Sequence, residues 1–389
     1  MVWEGLALFV VLFWLLIFVY LMRSVSSIPR LAEVPDSEIG PGPNGVWPSV
    51  RIVAAARDEA DGVEAAVTTL LKQDYPHFEV VMVNDRSSDG TGDILERLAA
   101  AEPRLHVKHI DRLPDGWLGK NHALHVGAGD AATDWILFTD ADVCLHPATL
   151  RRAVYLAETS GVDHLTCSPT LLGGSWLLQS LVAFFSLVFV LFFQPNRAIN
   201  PRSKAHVGIG AFNLVRTEAY KAIGGHSRIA LRPDDDVMLG KIVKQAGRRQ
   251  WFALGDHMIQ VEWYRSVGEM ARGLEKNSFA PFDYRLLPVL VAGVLYNFAF
   301  VLPFVGLIFA PGPVSRLLFA GAVLFMFSVA AGNGKNVTGR PWLSAVTLPL
   351  AAVLYMWIFL RAIWLTYRRG GIVWRDRFYP LAVLRRNRT

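Results

Sequence analysis

Two carboxylates separated by one residue, Asp140 and Asp142, emerge where the apolar run Trp135-Ile136-Leu137-Phe138 ends. Four apolar residues bounded by polar ones read as a buried strand. A carboxylate pair at the carboxyl end of such a strand stands where open α/β sheets bind their ligands. It suits a hard divalent cation, because Mg²⁺ or Mn²⁺ sits between one or two carboxylates and phosphate oxygens. Three further clusters carry comparable chemistry. Asp85 closes the run Val80-Val81-Met82-Val83-Asn84 before a polar turn, Arg86 to Thr91. There it would accept hydrogen bonds from a nucleobase or a ribose, or else cap the following helix. Gly116-Trp117-Leu118-Gly119-Lys120 sets two glycines and a lysine at a helix start, a place that favours anions, although the spacing is not that of a P-loop. Asp234-Asp235-Asp236 crowds three carboxylates. Their repulsion tends to raise at least one pKa, which suits a general base, while an acidic helix start accounts for the same residues.

The elements that must position these groups follow from periodicity. Strands are predicted over Val50–Ala56, Phe78–Val83, Leu105–Ile110 and Trp135–Thr139, and helices over Ala60–Gln73, Asp93–Ala101, Lys120–Ala128, Pro147–Glu158 and Val237–Gln245. This alternation implies a mostly parallel sheet covered by helices on both faces.

The rest of the chain is of another kind. Of 389 residues, 52% are hydrophobic and only 19% charged, a balance that points to membrane segments attached to a polar domain. Residues 1–27 read as an N-terminal anchor, since Leu6–Met22 is long enough to cross a bilayer and Arg23 and Arg30 flank it on the cytoplasmic side. Residues 28–48 form a Pro/Gly-rich linker centred on Gly40-Pro41-Gly42-Pro43, residues 49–284 a catalytic α/β domain, residues 285–366 membrane helices and residues 367–389 a basic cytoplasmic tail. The apolar runs of residues 285–366 are Leu286–Ala310, Leu317–Ala331 and Trp342–Leu365. From Arg368 onward the tail carries seven arginines against one aspartate, which suits an anionic membrane surface; no nucleic-acid motif accompanies them. Two cysteines, Cys144 and Cys167, have no framework spacing and fit a reducing compartment.

A further apolar run, Trp176–Phe193, interrupts the polar domain. The polar segments on both sides of it must share one site, so 175–193 is expected to be an interfacial or re-entrant helix, with a buried core helix as the other reading. Four crossings would put the arginine-rich tail outside, against the positive-inside rule, so one of the three C-terminal runs is expected not to cross.

In order along about residues 49–280 stand Ala55-Ala56-Arg57-Asp58-Glu59, Val83-Asn84-Asp85-Arg86-Ser87-Ser88-Asp89-Gly90-Thr91, Gly116–Lys120, Thr139-Asp140-Ala141-Asp142, Ile223-Gly224-Gly225-His226 and Asp235-Asp236-Val237-Met238-Leu239. This ordered set resembles the family 2 glycosyltransferases. It is most similar to the membrane-anchored bacterial branch that glycosylates lipids such as carotenoids and hopanoids. The resemblance implies an α/β fold, a Rossmann-like A-type glycosyltransferase domain with N-terminal and C-terminal transmembrane helices. It implies that Ala55, Arg57 and Glu59 line the nucleoside pocket, that Asp85 contacts the base, and that Lys120 lies near the diphosphate. Asp140 would meet the ribose or the metal, Asp142 would coordinate Mg²⁺ or Mn²⁺, and Asp236, beside Asp235, would be the base. His226, Tyr264 and Lys276 are acceptor-side candidates, while His122 and His125 fit ordinary structural or substrate-contact roles.

The implied reaction is the transfer, with inversion, of one hexose from a nucleotide sugar, a UDP-sugar, to a hydroxylated lipid at the cytoplasmic face of the inner membrane. The Gln-x-x-Arg-Trp signature of processive synthases is absent; Arg248-Arg249-Gln250-Trp251 has the letters in another order, which implies one transfer rather than polymerisation. Two other readings compete. Transfer to a polyprenyl phosphate would need no general base, and a non-catalytic membrane scaffold or transport partner would bind no nucleotide.

Overall fold

The protein is described by a computed structural model covering residues 2–41, 45–375 and 377–386. Gly42 and Pro43 of the linker, Asp376, and the tail beyond Arg386 lie outside the described residues. Two compact units are present, one made of Ile28–Leu172 and Phe193–Trp263, the other of the described parts of Met1–Ser27, Gly173–Phe192 and Tyr264–Arg388.

The first unit is an α/β domain. Its strands are β1 (Val50–Ala56), β2 (Phe78–Asp85), β3 (Leu105–Ile110), β4 (Trp135–Asp140), β5 (Cys144–Leu145), β6 (His164–Ser168), β7 (Thr170–Leu171), β8 (Asn213–Arg216), β9 (Gln250–Leu254) and β10 (Ile259–Val261). Seven of them form one sheet in the order β3-β2-β1-β4-β8-β6-β9, while β5, β10 and β7 make a small second sheet. Strands β1 to β4 are parallel, and β8 runs antiparallel to both β4 and β6. The chain builds β1, β2 and β3 outward and then places β4 on the other flank of β1, which creates the switch point where such sheets open a crevice.

The parallel strands form because their apolar runs are buried on both faces: Val50, Ile52, Val53 and Ala54 of β1, and Trp135, Ile136 and Leu137 of β4, have no exposure. Trp135 also satisfies its one donor, giving its indole N–H to Glu158 Oε1 at 2.8 Å while the Arg216 guanidinium lies 4.5 Å over the ring. Removing a buried side chain of that size costs about 3–5 kcal/mol.

Differences from the sequence reading sit at element ends, where the helix expected over Ala60–Gln73 runs only Val63–Leu71 and that over Pro147–Glu158 runs Thr149–Ser160, and in the second half of the sheet. Strands β2 and β4 run two and one residues further than expected, to Asp85 and Asp140. Three additional strands, β6, β8 and β9, complete the sheet.

The second unit is helical. Among the described residues, five of its helices are long and apolar enough to cross a membrane: Val2–Ser26, Trp176–Arg197 (whose last residues belong to the α/β unit), Leu286–Phe309, Pro313–Val337 and Leu348–Arg369. Their outward side chains include Leu287, Phe309 and Leu317, each more than 70% exposed, as lipid-facing residues should be. Polar groups inside the bundle find carbonyls: Trp14 Nε1 donates to Ala299 O (3.0 Å), Tyr296 Oη to Ala352 O (2.6 Å) and Asn333 Nδ2 to Ala183 O (2.7 Å). The helix from Leu286 widens to a π turn over Asn297–Val301 just before Pro303, whose missing N–H and ring cannot be fitted to a regular turn. After Arg369 come the antiparallel strands β11 (Gly371–Trp374) and β12 (Arg377–Pro380) and a short helix, Leu381–Arg386.

Candidate active site at the carboxyl edge of the sheet

Register brings the first half of the site together. Ala55 pairs with Val83 on one side and with Asp140 on the other, and Ala56 pairs with Asn84, so the tips of β2, β1 and β4 end side by side. Asp85, almost wholly buried, receives Arg86 in a two-pronged pair, Nε to Oδ1 at 2.7 Å and Nη2 to Oδ2 at 2.9 Å. It does not cap the helix Thr91–Ala101, whose N-cap is Gly90 with a left-handed backbone. Gly119 is needed beside it, since a Cβ there would run into the Asp85 carboxylate.

Two turns flank this tip and are stitched to each other. Asp58 N–H donates to Ser87 Oγ (3.1 Å), Ser88 N–H to Asp58 Oδ1 (2.8 Å), Glu59 N–H to Thr91 Oγ1 (2.9 Å) and Ala60 N–H to Asp89 Oδ2 (3.0 Å). Arg57 and Glu59 are therefore carried on the same wall as Asp85.

Lys120 joins the two halves. It begins the helix Gly119–Ala128 and reaches Asp140 Oδ1 at 2.7 Å and Asp235 Oδ2 at 3.4 Å. Burial works against its charge, but Asp140, Asp235 and Asp236 outweigh that and hold the ammonium above the ordinary lysine range. In this arrangement its partners are carboxylates. A bound diphosphate would have to share it with them.

The acidic stretch Asp234–Asp236 is sorted by partner. Asp234 takes the buried Arg232 guanidinium through two bonds of 2.9 and 2.8 Å. Asp235 faces Lys120. Asp236 accepts from Gly210 N–H at its Oδ2 and from Val237 N–H at its Oδ1, both at 2.8 Å. Burial, followed by the Asp235 charge, pushes the Asp236 carboxyl up to about 7. Asp142 is exposed at its surface, yet loss of solvation and the neighbouring Asp140 and Glu59 carboxylates push it up to about 7 as well.

Residues that the sequence did not single out hold this together. Asn121, fully buried, donates through Nδ2 to the carbonyls of Ile229 (2.7 Å) and Arg232 (2.9 Å), and Leu118 N–H donates to Ala230 O (2.8 Å). These bonds carry the acidic stretch to Lys120. Gly210 fits between the halves: a Cβ there would come within 2.6 Å of Asp140 Oδ2.

The cleft is lined by Lys120, Asp140, Gly210, His226, Asp235 and Asp236, among others. His226 is buried behind it, its Nδ1 paired with Tyr220 Oη at 2.8 Å and its ring against Phe138; burial pushes its pKa down to about 3, so it is neutral. Trp117 stacks on His125 and meets His122 edge-on. Tyr264 and Lys276 are not in this unit. In the helical unit Tyr264 packs on Gly273, and the Lys276 ammonium lies 3.9 Å over the Trp374 ring.

Among the described residues no group of three or more His, Cys, Asp and Glu side chains converges as a closed metal cage. The donor set nevertheless fits a divalent cation that keeps water and takes phosphate oxygens: Asp140 and Asp142 are one residue apart, all-oxygen, and close enough for the Asp140 charge to act on Asp142.

Comparison with known proteins agrees with the fold. The model of the family described as glycosyl transferase family 2 matches residues 51–224. The 4,4'-diaponeurosporenoate glycosyltransferase of Staphylococcus aureus (strain bovine RF122 / ET3-1) is 22% identical over 343 residues, 86% of this chain and 89% of that protein. The teichuronic acid biosynthesis glycosyltransferase TuaG of Bacillus subtilis (strain 168) is 30% identical over 95 residues, and the matched part spans 24% of this chain and only 36% of that relative. Among solved structures, the mannosyltransferase PcManGT from Pyrobaculum calidifontis, in complex with GDP-Man and Mn²⁺, superposes with a TM-score of 0.52 at 19% identity, covering 94% of this chain and 98% of that one.

Proposed function

We propose, from the premise that this chain is a family 2 glycosyltransferase with an A-type fold, that it moves one hexose from a nucleotide-diphosphate sugar to the hydroxyl of a membrane lipid with inversion. The observation that carries this reading is the single cleft in which Lys120 and Gly210 bridge the strand-end carboxylate Asp140 and the helix-start carboxylate Asp236. The nucleoside would lie on the wall formed by Ala55, Arg57, Glu59 and Asp85. Asp140 and Asp142 would hold Mg²⁺ or Mn²⁺, which when bound neutralises charge on the departing diphosphate. Asp236 takes the proton of the acceptor hydroxyl as its oxygen bonds to the anomeric carbon and the bond to the diphosphate oxygen breaks. One displacement inverts that carbon. Lys120 holds Asp140 and Asp235 in place and offers positive charge beside the leaving group. A UDP-sugar is the proposed donor, and the near-full-length likeness to a 4,4'-diaponeurosporenoate glycosyltransferase supports a lipid acceptor.

A membrane site facing the cytoplasm has support of its own. Strands before and after Trp176–Phe193 pair in one sheet, so that helix cannot be a single crossing. Within the helical unit, Arg385 donates to Tyr284 O (3.0 Å), Arg369 pairs with Glu275 (2.5 Å) and the Tyr367 ring packs at a tilt against Phe279. The tail thus returns to the segment from which the helix Leu286–Phe309 departs, which requires an even number of crossings between them. The helix Leu348–Arg369 has the length to cross, but Arg361 within it pairs with Glu275 at 3.2 Å, which leaves Leu348–Leu360 as its uninterrupted apolar part. Those residues reach about 20 Å, short of a bilayer core of about 30 Å. The pair Pro341–Val346 and Leu348–Arg369 is therefore read as a re-entrant hairpin, and the arginine-rich tail stays on the cytoplasmic side.

The test is nucleoside diphosphate release by the purified protein with lipid extract. Release should require Mg²⁺ or Mn²⁺, and Asp142→Ala should abolish it. Release undiminished in EDTA would overturn the reading.

A further inference from the structure

Beneath the cleft lie five polar side chains with at most 2% exposure: Thr139, His164, Thr166, Asn213 and Gln250. They come from β4, β6, β8 and β9, and most of their bonds go to one target, the backbone of Val207–Phe212. Gln250 brackets Val207, accepting its N–H at Oε1 (3.0 Å) and donating from Nε2 to its carbonyl (2.8 Å). The second Nε2 hydrogen goes to His164 Nδ1 at 2.6 Å, so that ring is the Nε2–H tautomer and donates to Asn213 Oδ1 at 3.0 Å. Thr166 Oγ1 accepts from Ile209 N–H (3.1 Å) and donates to Phe212 O (2.9 Å), and Thr139 Oγ1 donates to Ala211 O (2.8 Å).

Sheet pairing alone needs none of this, and five buried polar groups cost desolvation that apolar residues of similar size would not. What the network secures is the loop, and the loop occupies the gap between the two carboxylate sites. Gly210 N–H holds Asp236 Oδ2 at 2.8 Å, while its bare Cα faces the Asp140 carboxylate. Gly208 and Gly240 make the fit possible, because a Cβ on the first would strike the Asp236 carbonyl and one on the second the Val207 carbonyl.

We infer that Gly210, held by the buried Gln250–His164–Asn213–Thr166–Thr139 network, is a positioning residue that sets the spacing between the donor-side carboxylate Asp140 and the base Asp236. This deepens the glycosyltransferase reading and rests on Asp236 as base. Gly210 has no positive φ, and the atom its Cβ would meet is the far end of a side chain, so Gly210→Ala should fold while displacing Asp140. Gln250→Met keeps the volume and removes the bracket on Val207 without touching either carboxylate.

Three variants of the full-length protein test this: Gly210→Ala, Gln250→Met and Asp236→Asn. The measurements are kcat for nucleoside diphosphate release and, by calorimetry, binding of UDP and of GDP with Mn²⁺. Misplacement by about 1 Å costs on the order of 100-fold in rate, which is the loss expected for Gly210→Ala, together with weaker nucleotide–Mn²⁺ binding as Asp140 moves. Gln250→Met should lower kcat while leaving binding within about threefold, a split that loss of folded protein alone would not produce. If Asp236→Asn is inactive while both other variants keep kcat within about threefold, the positioning role is overturned and the base assignment stands. If Asp236→Asn transfers at the wild-type rate, the base assignment fails and the inference falls with it.

Discussion

The two aspartate clusters of the cleft, Asp140–Asp142 and Asp234–Asp236, look alike in sequence and are built by opposite means. The first is the end of a strand. Its position follows from the register of β4 on β1, which sets Ala55 opposite Asp140. The second is the first turn of a helix, and each of its carboxylates answers to a different partner: Arg232 two residues before Asp234, and the distant Lys120 and Gly210 amide. A sheet edge fixes where groups emerge, whereas a helix start must be brought in and oriented by contacts. The strand cluster is thus suited to a cation, and the helix cluster, with the Asp236 carboxylate oriented by two backbone donors, to accepting a proton.

The largest expected effect separates members of the helix cluster. Asp236→Asn should lower kcat by about 10²–10⁴, the usual worth of a general base, with donor KM little changed. Transfer at the wild-type rate would instead point to an acceptor that is already an anion. The wild-type rate should also fall about tenfold per pH unit below about 7, because the raised Asp236 carboxyl is protonated there. Asp142 is raised to about 7 as well, so the two clusters have to be told apart. A limb due to Asp142 moves to lower pH as Mn²⁺ concentration rises, since the cation competes with the proton. A limb due to Asp236 stays.

A middle-sized effect should come from the tether between the clusters. Asn121→Ala takes a buried donor from the Arg232 carbonyl and from the Ile229 carbonyl, which keeps the Arg232 N–H, at a cost of about 1–3 kcal/mol. It should also loosen Asp235 from Lys120 and reduce transfer, with less effect on nucleotide binding, because β1, β2 and β4 are untouched. Equal losses in both measurements would mean that the two clusters are one mechanical unit.

The same contrast decides what could be read from the chain. Strands β1, β2 and β4 announce themselves because apolar runs such as Ile136-Leu137-Phe138 are buried on both faces, and the acidic tips follow by position. Strands β6, β8 and β9 give little sign. Asn213–Arg216 is four residues long, and His164, Thr166, Asn213 and Gln250 look like surface residues until their mutual bonds are seen. Asn121 and Gly210 were silent for a related reason. Their necessity arises from a segment 108 or more residues away for one and from two separate carboxylates for the other, and no local pattern records such an approach. Lys120 was legible as a cation at a helix start but not as the partner of Asp140 and Asp235. Tyr264 and Lys276 share the order of motifs, yet they fold in the helical unit.

The smallest effect concerns stability. The folded Asp142 carboxyl titrates near 7, whereas in an unfolded chain an aspartate titrates near 3.9. Between those values the folded state holds a proton that the unfolded state has lost, so this group's contribution to stability declines as pH rises from about 4 through about 7. In EDTA at pH 8, Asp142→Asn should therefore raise the melting temperature by a few degrees, and at pH 4 it should change little. The gain is modest because the carboxylate surface is open to solvent. Saturating Mn²⁺ should erase the advantage, since the wild-type carboxylate then has its partner and the amide variant does not. A melting temperature that is equal for both proteins in EDTA at pH 8 would mean that the strand cluster carries no stored repulsion, and the case for a cation there would rest on position alone.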